Sequence, residues 1–364
     1  MINKFSDITV IIPSYKPDSK LINTLTGIKA AGFDDIIVVD DGGGDEYFHF
    51  FGEAERIGCT VLHHEVNRGK GAALKTAFSY FAENRRDFAG AVTADADGQH
   101  LPEDIAAVAL EMKEKGSVIL GSRDFSDPHV PTRSRFGNRC TSLMFRLFIG
   151  MKITDTQTGL RAIPSQYIRD VMDAKGDRYE YETQMLFLMK QKKIPYVEKT
   201  ISTVYIDDNA SSHFRPVRDS LRIYSMILMF AFSSLASTAA ENLLYLLSLL
   251  IVGTFLDKVY ATVIFYVIAR IMSSILNYTL NAKVVFNGKT NKQTLLRYMT
   301  LAVCLLITAV SLSGSIVWVF DVKNPIINTC IKICVDTALF FLSFRIQHSW
   351  VFGETSENKK EDGN

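Results

Sequence analysis

Residues 298–320 form a run of 23 side chains without a single charge. A helix needs about 20 apolar residues to cross roughly 30 Å of hydrocarbon, so this run confines the chain to folds that own a membrane-spanning or wholly buried helix. Three more segments follow the same pattern. Residues 226–256 are interrupted only by Glu241, and residues 259–282 only by Arg270, whereas residues 326–352 carry Lys332, Asp336 and Arg345 around an apolar middle. Four spans are predicted. Residues 223–352 hold 13 charged side chains, against 60 in the first 222 residues, so the apolar part is a region of its own rather than a fluctuation. The formal net charge of +1 argues against a nucleic-acid binder and against an acidic tail protein.

The loops between the predicted spans give an orientation. Lys283, Lys289, Lys292 and Arg297 lie between spans two and three, and Arg215, Arg218 and Arg222 precede span one, whereas the other two loops hold one lysine each. The positive-inside bias places those basic segments and both termini in the cytoplasm of a multi-pass cell-membrane protein. Residues 1–7 lack the basic start and apolar run of a signal peptide. Five cysteines (Cys59, Cys140, Cys304, Cys330 and Cys334) without a Cys-x-x-Cys pair fit a reducing compartment better than a disulfide framework. An internal repeat is visible: Asn277-Tyr-Thr-Leu-Asn-Ala-Lys-Val-Val-Phe286 closes the second span and Ser343-Phe-Arg-Ile-Gln-His-Ser-Trp-Val-Phe352 the fourth. Glu241 and Arg270 sit near the middles of adjacent spans, where an unpaired charge costs about 2.5–3.5 kcal/mol, and are predicted to face each other.

The first 222 residues read differently. β-Branched runs at 8–12, 35–39, 59–63, 89–93 and 117–120 alternate with helical stretches at 20–31, 71–84 and 102–115. That alternation predicts a mostly parallel sheet covered by helices on both faces, with ligands at the carboxyl ends of its strands. The acidic and Gly-rich clusters fall at those ends. Asn67-Arg-Gly-Lys-Gly71 is not a P-loop, because Gly71 stands where Ser or Thr is required and His64 where the first glycine belongs; Asp40-Asp-Gly-Gly-Gly44 does not match Gly-x-Gly-x-x-Gly. Asp95 and Asp97, with Gly98 for a turn and Gln99 for an amide oxygen, are hard oxygen donors suited to Mg²⁺ or Mn²⁺ shared with substrate phosphates.

Taken in order, Val10-Ile-Ile-Pro-Ser-Tyr15, Val38-Val-Asp-Asp-Gly42, Asn67-Arg-Gly-Lys-Gly-Ala72, Asp95-Ala-Asp-Gly-Gln99 and Gly121-Ser-Arg123 resemble family 2 glycosyltransferases of the GT-A fold. Thr154-Asp-Thr-Gln-Thr-Gly-Leu-Arg161 and Ser211-Ser-His-Phe-Arg215 extend the match to the polyprenyl-phosphate glycosyltransferases, the dolichol-phosphate mannose synthase type. Residues 223–352 resemble a GtrA-like membrane domain. The resemblance implies a GT-A domain over 1–222, a four-helix transmembrane domain over 223–352 and a polar, disordered tail over 353–364. It also implies site roles. Pro13 and Tyr15 would pack on the nucleotide, Asp40 and Asp41 would serve its base or ribose, and Asn67 and Lys70 would lie by the donor. Asp95, Asp97 and Gln99 would hold the metal. Arg123 and one of Arg133 and Arg135 would bind the acceptor phosphate, beside Arg139. Asp155, Gly159 and Arg161 would shape the sugar and acceptor pocket, and His213 and Arg215 would close over the diphosphate.

The expected reaction is inverting transfer of a sugar from a UDP- or GDP-linked donor to a polyprenyl phosphate, beside membrane lipid at the cytoplasmic face; homo-oligomers are compatible with the sequence. A hydroxyl acceptor would need a base, with Asp155, Glu180 and Glu182 as candidates, whereas a phosphate with its second pKa about 6 is already anionic. Two alternatives stand beside this: a polysaccharide glycosyltransferase, whose usual Gln-x-x-Arg-Trp is missing here, and a lipid-linked-sugar translocator with a fused transferase.

Overall fold

The β-branched runs become strands of one sheet because helices cover both of its faces, so both sets of alternating side chains are apolar. The computed structural model of the chain describes residues 4–125, 130, 132–202, 216–252, 258–286, 290–321 and 324–352. It divides into two compact units, residues 1–223 and 224–364. In the first, Ile8–Ser14 (β1), Asp35–Asp40 (β2), Thr60–His63 (β3), Gly90–Thr93 (β4), Val118–Arg123 (β5), Arg161–Pro164 (β6) and Tyr196–Ile201 (β7) form a seven-stranded sheet, in the order β3-β2-β1-β4-β6-β5-β7. All run parallel except β6, which lies antiparallel between β4 and β5. The sequence does not announce β6: it is four residues long and begins with an arginine.

Seven helices accompany the sheet: Ser19–Ala30 (α1), Phe48–Arg56 (α2), Lys70–Asn84 (α3), Pro102–Lys115 (α4), Thr132–Met144 (α5), Ser165–Met172 (α6) and Glu180–Gln191 (α7). Leu21, Leu25, Phe51, Ile105 and Val108 from α1, α2 and α4 share a core with Val10, Ile12, Ile36 and Val38. Ile11 and Ile37 point the other way along the pleat and are equally buried, beneath α3. Local chemistry sets the helix ends. Asp18 caps α1 through the Lys20 amide (2.8 Å), and α4 starts on Pro102 with Glu103 and Asp104 in its first turn and stops at Gly116 in the left-handed region.

In the second unit, α8 (Pro216–Val252), α9 (Lys258–Leu280), α10 (Lys292–Val319) and α11 (Pro325–Ile346) stand where the four spans were expected. Among the described residues, α10 meets the length and apolarity needed to cross a membrane. Its first turn is held by a reciprocal cap between Asn291 and Thr294. Glu241 and Arg270 meet as the sequence suggested, Nη1 to Oε2 at 3.1 Å. The repeat is also physical. Both α9 and α11 run on into π-helical turns, Asn281–Val285 and Gln347–Val351. The equivalent residues Asn281 and Gln347 bond each other (2.9 Å), and the equivalent Phe286 and Phe352 stack at 5.1 Å. Tyr278 faces Phe352 and, reciprocally, Phe344 faces Phe286. Each contact maps onto its mate when the two segments are exchanged, which is an internal pseudo-two-fold relation.

Candidate functional site

Because β1, β2, β4 and β5 run parallel, Tyr15, Asp40, Asp41, Asp95 and Arg123 all leave the sheet at one edge. The antiparallel β6 brings residues 154–160 to that edge from the opposite direction. At its centre, the Lys70 ammonium lies 2.6 Å from Asp95 Oδ1 and 3.0 Å from Glu182 Oε1. Burial pushes the Lys70 pKa down, but the two carboxylates, Asp95 foremost, outweigh it and hold it above its ordinary value. Burial likewise works to raise Asp95, and Lys70, followed by His100, holds it below the usual carboxylate range. Asp97 is raised, first by burial and then by the neighbouring charge of Asp95.

Asp95 has little freedom. Its amide donates to His100 Nδ1 (3.0 Å). Burial keeps the His100 pKa below its usual value. A Cβ on Gly159 would stand 2.6 Å from Asp95 Oδ2, so the glycine is the space into which that carboxylate fits. Asp97 Oδ1 accepts the Gln99 amide at 3.1 Å. Two neighbouring carboxylates, with the charge of Asp95 raising Asp97, beside a glycine that leaves room for Asp95, are the donor chemistry of a hard divalent cation, and the residues fit Mg²⁺ or Mn²⁺. Among the described residues no cluster of three or more His, Cys, Asp or Glu side chains could hold a metal by itself. Such an ion would take its remaining ligands from substrate and water.

Several predicted roles change once partners are seen. Asp41 was expected to serve the nucleotide, but its own chain takes both oxygens: Oδ1 accepts the Arg68 amide (2.9 Å) and meets His64 Nδ1 (2.8 Å), and Oδ2 accepts the Gly69 amide (2.8 Å). It fastens the loop that presents Lys70. Gly42 makes this possible, since a Cβ there would strike the Val66 carbonyl carbon at 2.3 Å and its φ is +70°. Asp40 is closed in the same way, by the Gly43 amide (3.1 Å) and His63 Nδ1 (3.0 Å). Asp155, expected at the catalytic centre and as a candidate base, has a side chain sealed from solvent and spent on Arg123, with Nε to Oδ2 at 2.7 Å and Nη2 to Oδ1 at 3.2 Å. Arg123 therefore reaches the edge as half of an ion pair. Arg161 does not line a pocket: it is buried inside β6 and donates to the carbonyls of Glu182 (2.6 Å) and Thr158 (3.3 Å).

Tyr15 and Pro13 are half-buried at the end of β1, and Lys16 Nζ lies 5.7 Å from the centre of the Tyr15 ring and 6.0 Å from that of Tyr47. Asn67 is half-buried in the loop before α3. Arg135 donates to the Val130 carbonyl (3.2 Å), and Arg139 is exposed on α5. His213, Arg215 and the side chain of Arg133 lie outside the described residues, as does the tail 353–364. Sequence reasoning missed His63 and His64, which register pairing could have suggested because Asp40 faces His63 across β2 and β3. It also missed Lys16, and the buried Ser14, whose hydroxyl has no hydrogen-bond partner among the described residues.

Comparison with known proteins identifies the family. The family model for glycosyl transferase family 2 matches residues 9–213. The UDP-N-acetylglucosamine–dolichyl-phosphate N-acetylglucosaminyltransferase of Methanococcus voltae is 30% identical over 220 residues, spanning 55% of this chain and 86% of its own. The undecaprenyl-phosphate mannosyltransferase of Micrococcus luteus is 30% identical over 190 residues, spanning 50% and 76%. Among solved structures, mannosyl-3-phosphoglycerate synthase from Rubrobacter xylanophilus superposes with a TM-score of 0.45 at 17% identity, over 60% of this chain and 70% of that one. With its matched residues spanning more than half of the sequence and carrying the whole of the sheet edge just described, the chain belongs to glycosyltransferase family 2 and is a glycosyltransferase.

Proposed function

We propose that the enzyme transfers a sugar from a UDP- or GDP-linked donor to a polyprenyl phosphate at the cytoplasmic face of a membrane, with inversion at the anomeric carbon. The observation that carries this reading is the fate of the candidate bases. Asp155 is spent on Arg123 and Glu182 on Lys70, whereas Glu180 lies beside Gly176 with Oε2 shut away from solvent and, among the described residues, without a hydrogen-bond partner. A hydroxyl acceptor requires an open base, and a phosphate with its second pKa about 6 does not. The names of the relatives, which specify dolichyl and undecaprenyl phosphate, support the same acceptor class.

In this reading Tyr15 and Pro13 receive the nucleotide, and Asp40 and Asp41 hold the loops around it. Lys70 places positive charge where the diphosphate leaves. Arg123, oriented by Asp155, and the arginines of α5 address the acceptor phosphate through guanidinium forks. Asp95, Asp97 and Gln99 hold Mg²⁺ or Mn²⁺, which when bound supplies Lewis-acid charge to the leaving nucleoside diphosphate. Residues 223–352 form the GtrA-like domain, with α8, α9 and α11 joining α10 as spans and both termini cytoplasmic. The domain limits are 1–222 and 223–352.

The test uses the purified full chain in lipid nanodiscs with Mn²⁺ or Mg²⁺, a panel of labelled UDP- and GDP-sugars, and undecaprenyl phosphate. Label should move into the lipid phase with one donor, and Asp97→Ala should abolish that transfer. Label passing into an added oligosaccharide and not into lipid would overturn the acceptor assignment.

A further inference from the structure

Lys70 occupies an electrostatically awkward place. It is the first residue of α3, a 15-residue helix whose positive dipole end disfavours a cation. Its ammonium is nevertheless held between Asp95 Oδ1 at 2.6 Å and Glu182 Oε1 at 3.0 Å. The Asp95 backbone is held by the His100 ring, and its Oδ2 occupies the space that Gly159 leaves. Glu182 is buried in the first turn of α7, where its backbone carbonyl accepts from Arg161 at 2.6 Å. Of the three groups, only the lysine has a long, flexible stem.

We propose that Lys70 is a built-in counter-ion that competes with the divalent cation for Asp95, and that Glu182 is the positioning residue that retains the ammonium when the cation takes its place. The proposal rests on reading Asp95 and Asp97 as cation ligands. An ammonium and a bound metal ion would both draw on the Asp95 carboxylate, and two cations on one carboxylate repel. Because Glu182 already touches the ammonium, the exchange is a small rotation of the lysine stem rather than a desolvation of free charge. A nucleoside diphosphate offers Lys70 a third anionic partner and so lifts it from Asp95. Cation and donor binding are thereby coupled, each strengthening the other by the same factor. The site then takes metal weakly alone and tightly with donor, which restrains idle metal binding between turnovers.

Mn²⁺ binding to the full chain in nanodiscs, followed by the electron paramagnetic resonance signal of the free ion, tests this without turnover. Lys70→Met should bind Mn²⁺ alone about tenfold more tightly than the unaltered chain, in the range of ordinary coupling energies. With UDP or GDP present that advantage should vanish, because the part of the nucleotide's effect that runs through Lys70 is gone. Glu182→Gln should act in the opposite direction, weakening Mn²⁺ alone about threefold on the same scale. That weakening should shrink to less than twofold in a Lys70→Met background. Lys70→Gln repeats the measurement with a polar side chain, so a folding defect peculiar to methionine does not obscure the result. Unchanged Mn²⁺ affinity in both Lys70 variants, or an equal Glu182→Gln effect with and without Lys70, overturns the proposal. If the unaltered chain binds Mn²⁺ and Asp97→Asn abolishes that binding, the metal reading survives such a failure; no binding by the unaltered chain sinks both.

Discussion

The two units bury polar side chains by opposite means. The sheet unit buries full charges. Arg161 is 1% exposed and Asp155 equally so, and both are matched by carbonyls or an opposite charge. The helical unit buries neutral amides and hydroxyls instead. Asn281 takes a bond from Ser233 (2.5 Å) and gives bonds to Asn277 (2.7 Å) and Gln347 (2.9 Å), while Gln347 gives one to Ser343 (2.9 Å). Its internal ion pair, Glu241 with Arg270, leaves the arginine half exposed. A charge can be desolvated where rigid backbone dipoles stand ready on several sides, as β6 and α7 provide around Arg161. A bundle of helices has already used its backbone groups on itself, so its side chains must satisfy one another.

Arg161→Met should break the comparison hardest if it is wrong. It leaves the Glu182 and Thr158 carbonyls without their donor inside the core, and thermal unfolding of the purified chain should show a loss of about 3–5 kcal/mol. A near-neutral result would mean that the buried charge is incidental. Gly159→Ala comes next. The added methyl collides with Asp95, and kcat/KM should fall about 100-fold, with less effect on melting, because a displacement near 1 Å costs that much at a reacting centre.

These two residues also mark what the sequence revealed. Five of the six parallel strands were legible because β-branched runs of four or five residues have few other uses, and the sheet edge followed from their polarity; β7 was not read from the sequence. The Asp-x-x-x-Gly-x-Arg pattern was legible as a pattern, but its three residues do three unrelated things: Asp155 orients Arg123, Gly159 makes room for Asp95, and Arg161 props up α7. No spacing distinguishes those jobs. The loop-fastening bonds of Asp41 were not legible for a similar reason, since a carboxylate that ties down its own loop has the same letter as one that binds a ligand. In the helical unit, the repeat and the Glu241–Arg270 pair were legible from position alone. The π-turns were not, because an inserted residue leaves no mark on composition.

Asn281→Leu sharpens the helical side. It removes two interhelical hydrogen bonds, to Ser233 and Gln347, and one within its own helix, to Asn277, and unfolding in lipid should show a loss of about 1–2 kcal/mol, given roughly 0.6 kcal/mol per interhelical bond. Losing much more would bring the neutral network level with the charged one. Glu111→Gln should do least. Glu111 pairs with Lys115 at 2.6 Å and Lys199 at 3.1 Å, and the Lys115 hydrogen bond foremost holds its pKa below the ordinary value. Since the folded value is the lower one, its contribution is complete above the unfolded value of about 4.3 and is lost as pH falls through the folded one. The substitution should cost under about 1 kcal/mol at neutral pH, and the difference should disappear in acid.

The handshake between Asn281 and Gln347 has a consequence for how the protein is made. Residue 347 is synthesised long after residue 281, so a ribosome that has released the first hairpin leaves the Asn281 amide with one of its bonds unmade. The earlier pair of helices waits, incompletely satisfied, for the last one to arrive. Truncation anywhere before that point removes the closing half of a symmetric clasp, so the bundle is completed in a single late event rather than helix by helix.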